Sequence, residues 1–197
     1  MADREDWERR WREGQTPWDL KGVTPALIHW RGRDSLKGRA VLVPGCGRGH
    51  DAHYLAKWGA RVTAVDYSLE ALAEAKRGYP RSRILWLAED VTTLPFDQEF
   101  DRVWEYTCFC ALEPPTRTAY LQAVYRALKS GGYYWGLVFA KVPNEEGPPF
   151  AIEPEAFHAL LSQWFTIVEF EPESPRSVAA RRGNEIWFCV TKKRGDH

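Results

Sequence analysis

The stretch VLVPGCGRGHDA, residues 41–52, constrains the fold of this chain more than any other. Val41, Leu42 and Val43 form a short apolar run that ends in Gly45, Gly47 and Gly49, and a helical pattern follows at once. Such a run is a buried strand, and the spaced glycines let the backbone turn sharply from strand into helix. The surrounding chain repeats the alternation. Strands are predicted at 39–44, 60–66, 83–90, 100–109 and 133–140, with helices over 49–59, 68–79 and 114–132. A helix over 153–164 and two strands, 165–172 and 184–192, close the chain, the last two as an antiparallel hairpin at one edge. The β-α rhythm predicts a mostly parallel sheet with helices on both faces. At 197 residues the chain fits one domain, 1–197.

Charge narrows the partners. Lys plus Arg and Asp plus Glu are 27 each, so no excess of positive charge is available to neutralise phosphates. Neither a nucleic acid nor a membrane surface is expected, and the basic KKR at 192–194 reads as a solvated end. The start, MADRED, is charged where a secretory signal needs an apolar core, and no apolar run approaches membrane-spanning length. A cytoplasmic protein is the expectation. Cys46, Cys108, Cys110 and Cys189 show no C-x-x-C spacing, which predicts neither a metal site nor a disulfide framework.

The glycine turn alone suits a nicotinamide dinucleotide, a flavin or S-adenosylmethionine, since the following helix presents free N–H groups. Two acids sharpen the choice. Asp66 ends the second strand, where a carboxylate accepts from ribose hydroxyls. Asp90 ends the third, where it can accept from an adenine amine with Val91 against the ring. A dinucleotide has no particular use for Asp90, so the pair favours S-adenosylmethionine.

The N-terminus poses a separate question. Residues 4–13 read as a helix with Trp7 and Trp11 on one face, 16–25 as a loop carrying Trp18, and solvated tails have no use for indoles. Trp7 and Trp11 staple this helix to the core or cover a ligand.

Taken in order, GQTPWDLKGVTP, LVPGCGRGHDA, AVDYS, FDRVWEYTCFCALEPPTR, GPPF and RRGNEIW resemble the thiopurine S-methyltransferase family, especially its thiol and halide methyltransferase branch. The resemblance runs nearly end to end. It implies a seven-stranded, mostly parallel, Rossmann-like methyltransferase sheet with an N-terminal helical lid, residues 1–30, folded over the cofactor. It further implies that Trp7, Trp11, Trp18, Gly45, Gly47, Gly49, Asp66, Asp90, Val91 and Tyr106 bind S-adenosylmethionine. A sulfonium is a permanent cation, and tryptophan faces attract cations by about 0.5–2 kcal/mol.

On the substrate side a regular strand through EYTCFC would put Tyr106, Cys108 and Cys110 on one face and Phe109 on the other. The cysteines read as small apolar fillers rather than nucleophiles. By the resemblance Arg117 is an active-site arginine, although it also reads as an exposed residue of a first helical turn. Phe109, Phe150, Arg181 and Arg182 are expected at the substrate mouth, with Tyr106 or a water as the only base for a neutral nucleophile. The expected reaction moves a methyl group to a small soft nucleophile: a thiol, hydrosulfide, thiocyanate or a halide. A thiopurine is the alternative substrate, and a non-catalytic S-adenosylmethionine-binding protein or an NAD-dependent oxidoreductase the alternative class. A monomer is expected.

Overall fold

β1 (Ala40–Pro44) is buried at every position and lies inside a seven-stranded sheet of order β3-β2-β1-β4-β5-β7-β6. The structure, a computed structural model, describes residues 4–31, 35–143 and 146–193. β2 (Arg61–Asp66) and β4 (Phe100–Tyr106) flank β1 in parallel, and β3 (Leu85–Ala88) and β5 (Leu128–Phe139) extend the sheet, again in parallel. β7 (Glu185–Lys192) runs antiparallel to both β5 and β6 (Phe165–Glu171). The closing hairpin is therefore present, with β7 inserted between β5 and the edge strand β6.

The helices are α1 (Arg4–Arg12), α2 (Pro25–Trp30), α3 (His50–Lys57), α4 (Leu69–Gly78), α5 (Arg117–Ala127) and α6 (Pro154–Trp164). Two separate apolar cores result, one on each face of the sheet. One joins Leu27, Val41, Leu55, Trp104, Trp135 and Trp187; the other joins Leu42, Val103, Phe109, Leu121, Phe157 and Phe188. Neighbours along β1 thus face opposite cores, as a strand of a doubly covered sheet requires.

Several boundaries differ from the sequence reading, β3 ending at Ala88 rather than 90 among them, and three differences matter most. α2 lies where a loop gives way to PALIHW, begun by Pro25, and Ala26 and Leu27 pack into the core. The helix predicted over 114–132 ends at Ala127, because Leu128 already pairs with Phe100 of β4 and the glycines at 131 and 132 lie inside β5. β4 stops at Tyr106 rather than 109. Thr107 takes φ +61, and a 3₁₀ turn over Phe109–Ala111 follows. The alternation expected through Cys110 is lost there. At the C-terminal end Lys192 is buried, its Nζ donating to the carbonyls of Tyr125 and Leu128 at 2.9 Å; Arg194 lies outside the described residues.

Strands β2 and β3 continue from one side of β1, and β4 and β5 from the other. In open α/β sheets such a reversal of strand order opens a crevice at the carboxyl ends of the strands. Here Pro44, Asp66 and Tyr106 end their strands at that crevice.

Candidate active site

A cavity of about 310 Å³ occupies the crevice. Its floor is the glycine turn. Gly45 has φ +60, and a Cβ there would stand 2.8 Å from the Cys108 side chain. Gly49 has φ +73 and begins α3, and a Cβ would meet the Trp86 ring at 2.4 Å. Gly45 and Gly47 line the cavity, whereas Gly49 serves the packing of α3 on β3 and does not.

Asp66 ties the turn to β2. Its Oδ2 accepts from Gly47 N–H at 2.8 Å and its Oδ1 from Ser68 N–H at 2.9 Å. A carboxylate has about four lone-pair sites, so these bonds leave capacity for a ligand. Burial pushes its pKa up to about 6. Asp90 heads a 3₁₀ turn and accepts from Thr92 N–H and Oγ1 at 2.8 and 2.7 Å, while Val91 is buried beside it. Asp66, Asp90 and Val91 all line the cavity.

The roof comes from the N-terminal segment. Trp7, Trp11 and Trp18 line the cavity together, with Trp18 edge-on to Trp7 at 5.4 Å and to Trp11 at 6.0 Å. Polar contacts hold this segment down. Glu8 accepts from Ser68 Oγ, Leu69 N–H and Glu70 N–H at 2.8, 2.6 and 3.1 Å, capping α4 from outside its own stretch of chain. Arg48 joins Asp19 and Glu74 in ion pairs and stands 5.1 Å from the Trp11 ring centroid. Asp51 accepts from Thr24 N–H, Thr24 Oγ1 and Trp104 Nε1 at 2.8, 2.6 and 2.8 Å. Glu8, Arg48 and Asp51 escaped the sequence reading, since a charged residue in a helix or turn carries no signal of what it touches.

Under the cavity wall Glu105 is fully buried. It accepts from Cys108 N–H, Phe109 N–H, Tyr120 Oη and Tyr134 Oη at 2.6, 3.0, 2.7 and 3.1 Å. These four donors fix the left-handed turn at Thr107 and aim Tyr106 and Cys108 into the cavity. Burial pushes the Cys108 thiol well up and that of Cys110 to about 12, so neither is a ready nucleophile.

The predicted substrate residues separate. Tyr106 lines the cavity. Phe109 does not; its ring lies 4.9 Å from Phe157 in the core, because the strand ended three residues earlier. Arg117 does not line it either, and instead donates to the carbonyls of Leu112 and Phe150, both at 3.2 Å. Pro148 and Pro149 reach the wall, but the Phe150 ring folds back over Gly147. Arg181 stands just behind the lining, donating to Tyr106 Oη at 2.5 Å and to the Trp18 carbonyl at 2.8 Å. Arg182 is exposed and outside the lining.

The donor set suits S-adenosylmethionine. Three indole faces and the carboxylates of Asp19, Asp51, Asp66 and Asp90 match a ligand with a sulfonium, an ammonium and ribose hydroxyls. Among the described residues, the cavity-lining His50 also keeps a buried Nε2 without a hydrogen-bond partner. A sheet of this order, with its single antiparallel strand set before the edge and a glycine turn beneath aromatic cover, defines an S-adenosylmethionine-dependent methyltransferase.

Comparison with known proteins narrows the class. The family model described as thiopurine S-methyltransferase matches residues 2–193. Thiocyanate methyltransferase 1 of Arabidopsis thaliana is 35% identical over 184 residues, 91% of this chain and 81% of that protein. Thiopurine S-methyltransferase of Xanthomonas campestris pv. campestris (strain 8004) is 29% identical over 189 residues, covering 86% of each. The structure of Burkholderia thailandensis 1,6-didemethyltoxoflavin-N1-methyltransferase, with bound 1,6-didemethyltoxoflavin and S-adenosylhomocysteine, matches with TM-score 0.74 at 25% identity, over 96% of this chain and 87% of that one. This chain belongs to the thiopurine S-methyltransferase family, and S-adenosylmethionine is its methyl donor.

Proposed function

We propose that this enzyme methylates a small soft nucleophile (a thiol, hydrosulfide, thiocyanate or a halide) in preference to a thiopurine. The observation that carries the reading is the wall facing the donor. It is built mainly from Tyr106, Cys108, Ala111, Leu112, Phe139, Pro148 and Pro149, with Thr107, Glu113 and Thr116 as its polar members and, among the described residues, no pair of acids or amides to orient a large polar heterocycle. Arg117, the cation by which an anionic aromatic substrate would be gripped, is engaged by two carbonyls. The 35% identity to a thiocyanate methyltransferase supports the same choice.

When bound, S-adenosylmethionine supplies an electrophilic methyl group on a sulfonium. The chain's own residues do the rest. In this reading Asp66 holds the ribose, Asp90 and Val91 the adenine, and the backbone of Gly45 and Gly47 allows close approach. Trp7, Trp11 and Trp18 cover the sulfonium and keep water from the nucleophile. Alignment of nucleophile, methyl and leaving sulfur supplies most of the acceleration, for which about 7–11 kcal/mol is available in well-oriented reactions. A cytoplasmic, monomeric enzyme acting on a small molecule fits the reading; among the described residues no helix is long and apolar enough to cross a membrane.

Initial rates with methyl-labelled S-adenosylmethionine test it. Iodide, thiocyanate, hydrosulfide and simple thiols should turn over faster than 6-mercaptopurine at matched concentration. Turnover of the thiopurine with none on the small nucleophiles overturns the substrate choice and leaves the family assignment standing.

A further inference from the structure

Anions such as thiocyanate attack without losing a proton, but a neutral thiol has one to lose. Tyr106 is the cavity-lining hydroxyl nearest to an answer, and its surroundings are unusual. Arg181 Nη1 donates to Tyr106 Oη at 2.5 Å. Arginine only donates, so the phenolic hydrogen must point elsewhere, and the acceptor there is Glu185 Oε1 at 3.4 Å. One lone pair of the phenolic oxygen then remains, on a residue that lines the cavity.

Glu185 stands behind Tyr106, at the start of β7 and opposite Phe139 of β5. It has no solvent exposure, and among the described residues no donor meets its Oε2 in good hydrogen-bond geometry, although the buried Ser177 hydroxyl stands beside the carboxylate. If Glu185 only neutralised Arg181, from which Oε1 lies 3.6 Å away, a buried oxygen would not need to be left without a well-placed donor. Each such group costs free energy, so one beside a cavity-lining hydroxyl calls for an explanation.

We propose that Tyr106 and Glu185 form a proton relay that takes the proton of a neutral thiol in the bound complex, leaving the sulfur ready to be methylated. The inference rests on the soft-nucleophile reading above and extends it to protonated acceptors. The thiol proton passes to Tyr106 Oη while the phenolic proton passes to Glu185 Oε1. A lone pair of the resulting thiolate sulfur then forms the new S–C bond, and the methyl–sulfonium bond breaks with its electron pair remaining on the departing sulfur. The carboxylic acid returns its proton to solvent once product has left.

The electrostatics agree with a relay rather than a phenolate. Burial and the charge of Glu185 push the Tyr106 pKa up, with Arg181 pulling it back, so the phenol passes a proton on instead of ionising alone. Burial raises Glu185 above the usual carboxylate range while Ser177, Arg181 and Tyr106 lower it. The charged groups facing the pair are Arg181 and, from α3, Asp51, with the neutral Ser177 hydroxyl beside Glu185.

The test compares 2-mercaptoethanol with thiocyanate, which carries no proton to remove. Positioned acid–base groups contribute about 10²–10⁴-fold, so Glu185→Gln should lower the thiol-to-thiocyanate ratio of kcat/KM at least about 100-fold near neutral pH. The pH profile for the thiol should then follow the thiol's own ionisation, where the native enzyme stays active well below it. Glu185→Asp should restore part of the ratio. Tyr106→Phe should repeat the loss, and it decides the matter if Glu185→Gln does not fold. Equal losses for both nucleophiles, or an unchanged ratio, overturn the relay. A second readout needs no turnover. With S-adenosylhomocysteine bound, an aromatic thiol should show thiolate absorbance in the native protein at a pH where Glu185→Gln shows none, and equal spectra overturn the relay. If the native enzyme turns over neither nucleophile, the proposed function fails and this titration still decides the relay.

Discussion

The guanidinium of Arg181 donates to the backbone carbonyl of Trp18 at 2.8 Å, joining residues 163 positions apart in the chain. The same side chain reaches Tyr106 Oη, so one cation holds both the aromatic cover and the residue beneath it. The cover is thereby coupled to the substrate wall.

Arg181→Ala should loosen that coupling. Hydrogen bonds to charged groups contribute about 1.5–3 kcal/mol, so affinity for S-adenosylhomocysteine should fall roughly 10–100-fold by calorimetry. Protease cleavage within the first twenty residues should become fast even with cofactor present. Native protection in the variant would detach Arg181 from the cover.

Glu8 docks α1 by capping α4, and caps of this kind contribute about 0.5–2 kcal/mol. Glu8→Ala should lower stability by that amount in denaturant titrations and expose the N-terminal helix to protease. Partial burial raises its pKa, but the N–H groups of Leu69 and Glu70, the Ser68 hydroxyl and Arg4 lower it below the usual carboxylate range overall. The contribution is therefore present above that range and lost as pH falls through it. A stability difference between native and variant that persists into strong acid would contradict this.

Asp66 behaves oppositely. Burial raises its pKa to about 6, so the folded apo protein keeps a proton that the unfolded chain has released. Its contribution to apo stability should decline as pH rises from the usual aspartate value of about 4 to about 6. Ribose hydroxyls donate to the ionised form, so cofactor affinity should instead weaken as pH falls through about 6. Asp66→Asn should cost about 1–3 kcal/mol of affinity and flatten the profile. Unchanged calorimetric affinity removes Asp66 from the site.

Glu105 accepts hydrogen bonds from four donors and faces no water. Glu105→Ala leaves all of them unpaired, and each buried donor left unsatisfied costs about 1–3 kcal/mol. The variant should unfold at markedly lower denaturant and lose cofactor binding through the displaced Thr107 turn. A loss under 1 kcal/mol (roughly that of a single hydrogen bond) would refute the role assigned to it.

What the sequence determined by itself was the parallel sheet, the glycine turn and the acids at its strand ends. Apolar period, glycine spacing and carboxylates at or just past a strand end are local properties, readable in Val41–Gly49, in Asp66 and in Asp90, which stands two residues beyond β3 rather than at its end. The three tryptophans were likewise legible as cover of some kind, because solvated termini do not carry indoles. Tertiary structure decided what local pattern cannot encode. It ended β4 at Tyr106, because Glu105 collects donors from the following turn, α5 and β5, and this sent Phe109 into the core. It turned Arg117 and Arg181 from loose surface cations into clamps on carbonyls 33 and 163 positions away. It also buried Glu185 behind Tyr106, 79 positions from it in the chain. A charged side chain looks the same in sequence whether it meets water or a buried partner; only the packed sheet brings the partner within reach.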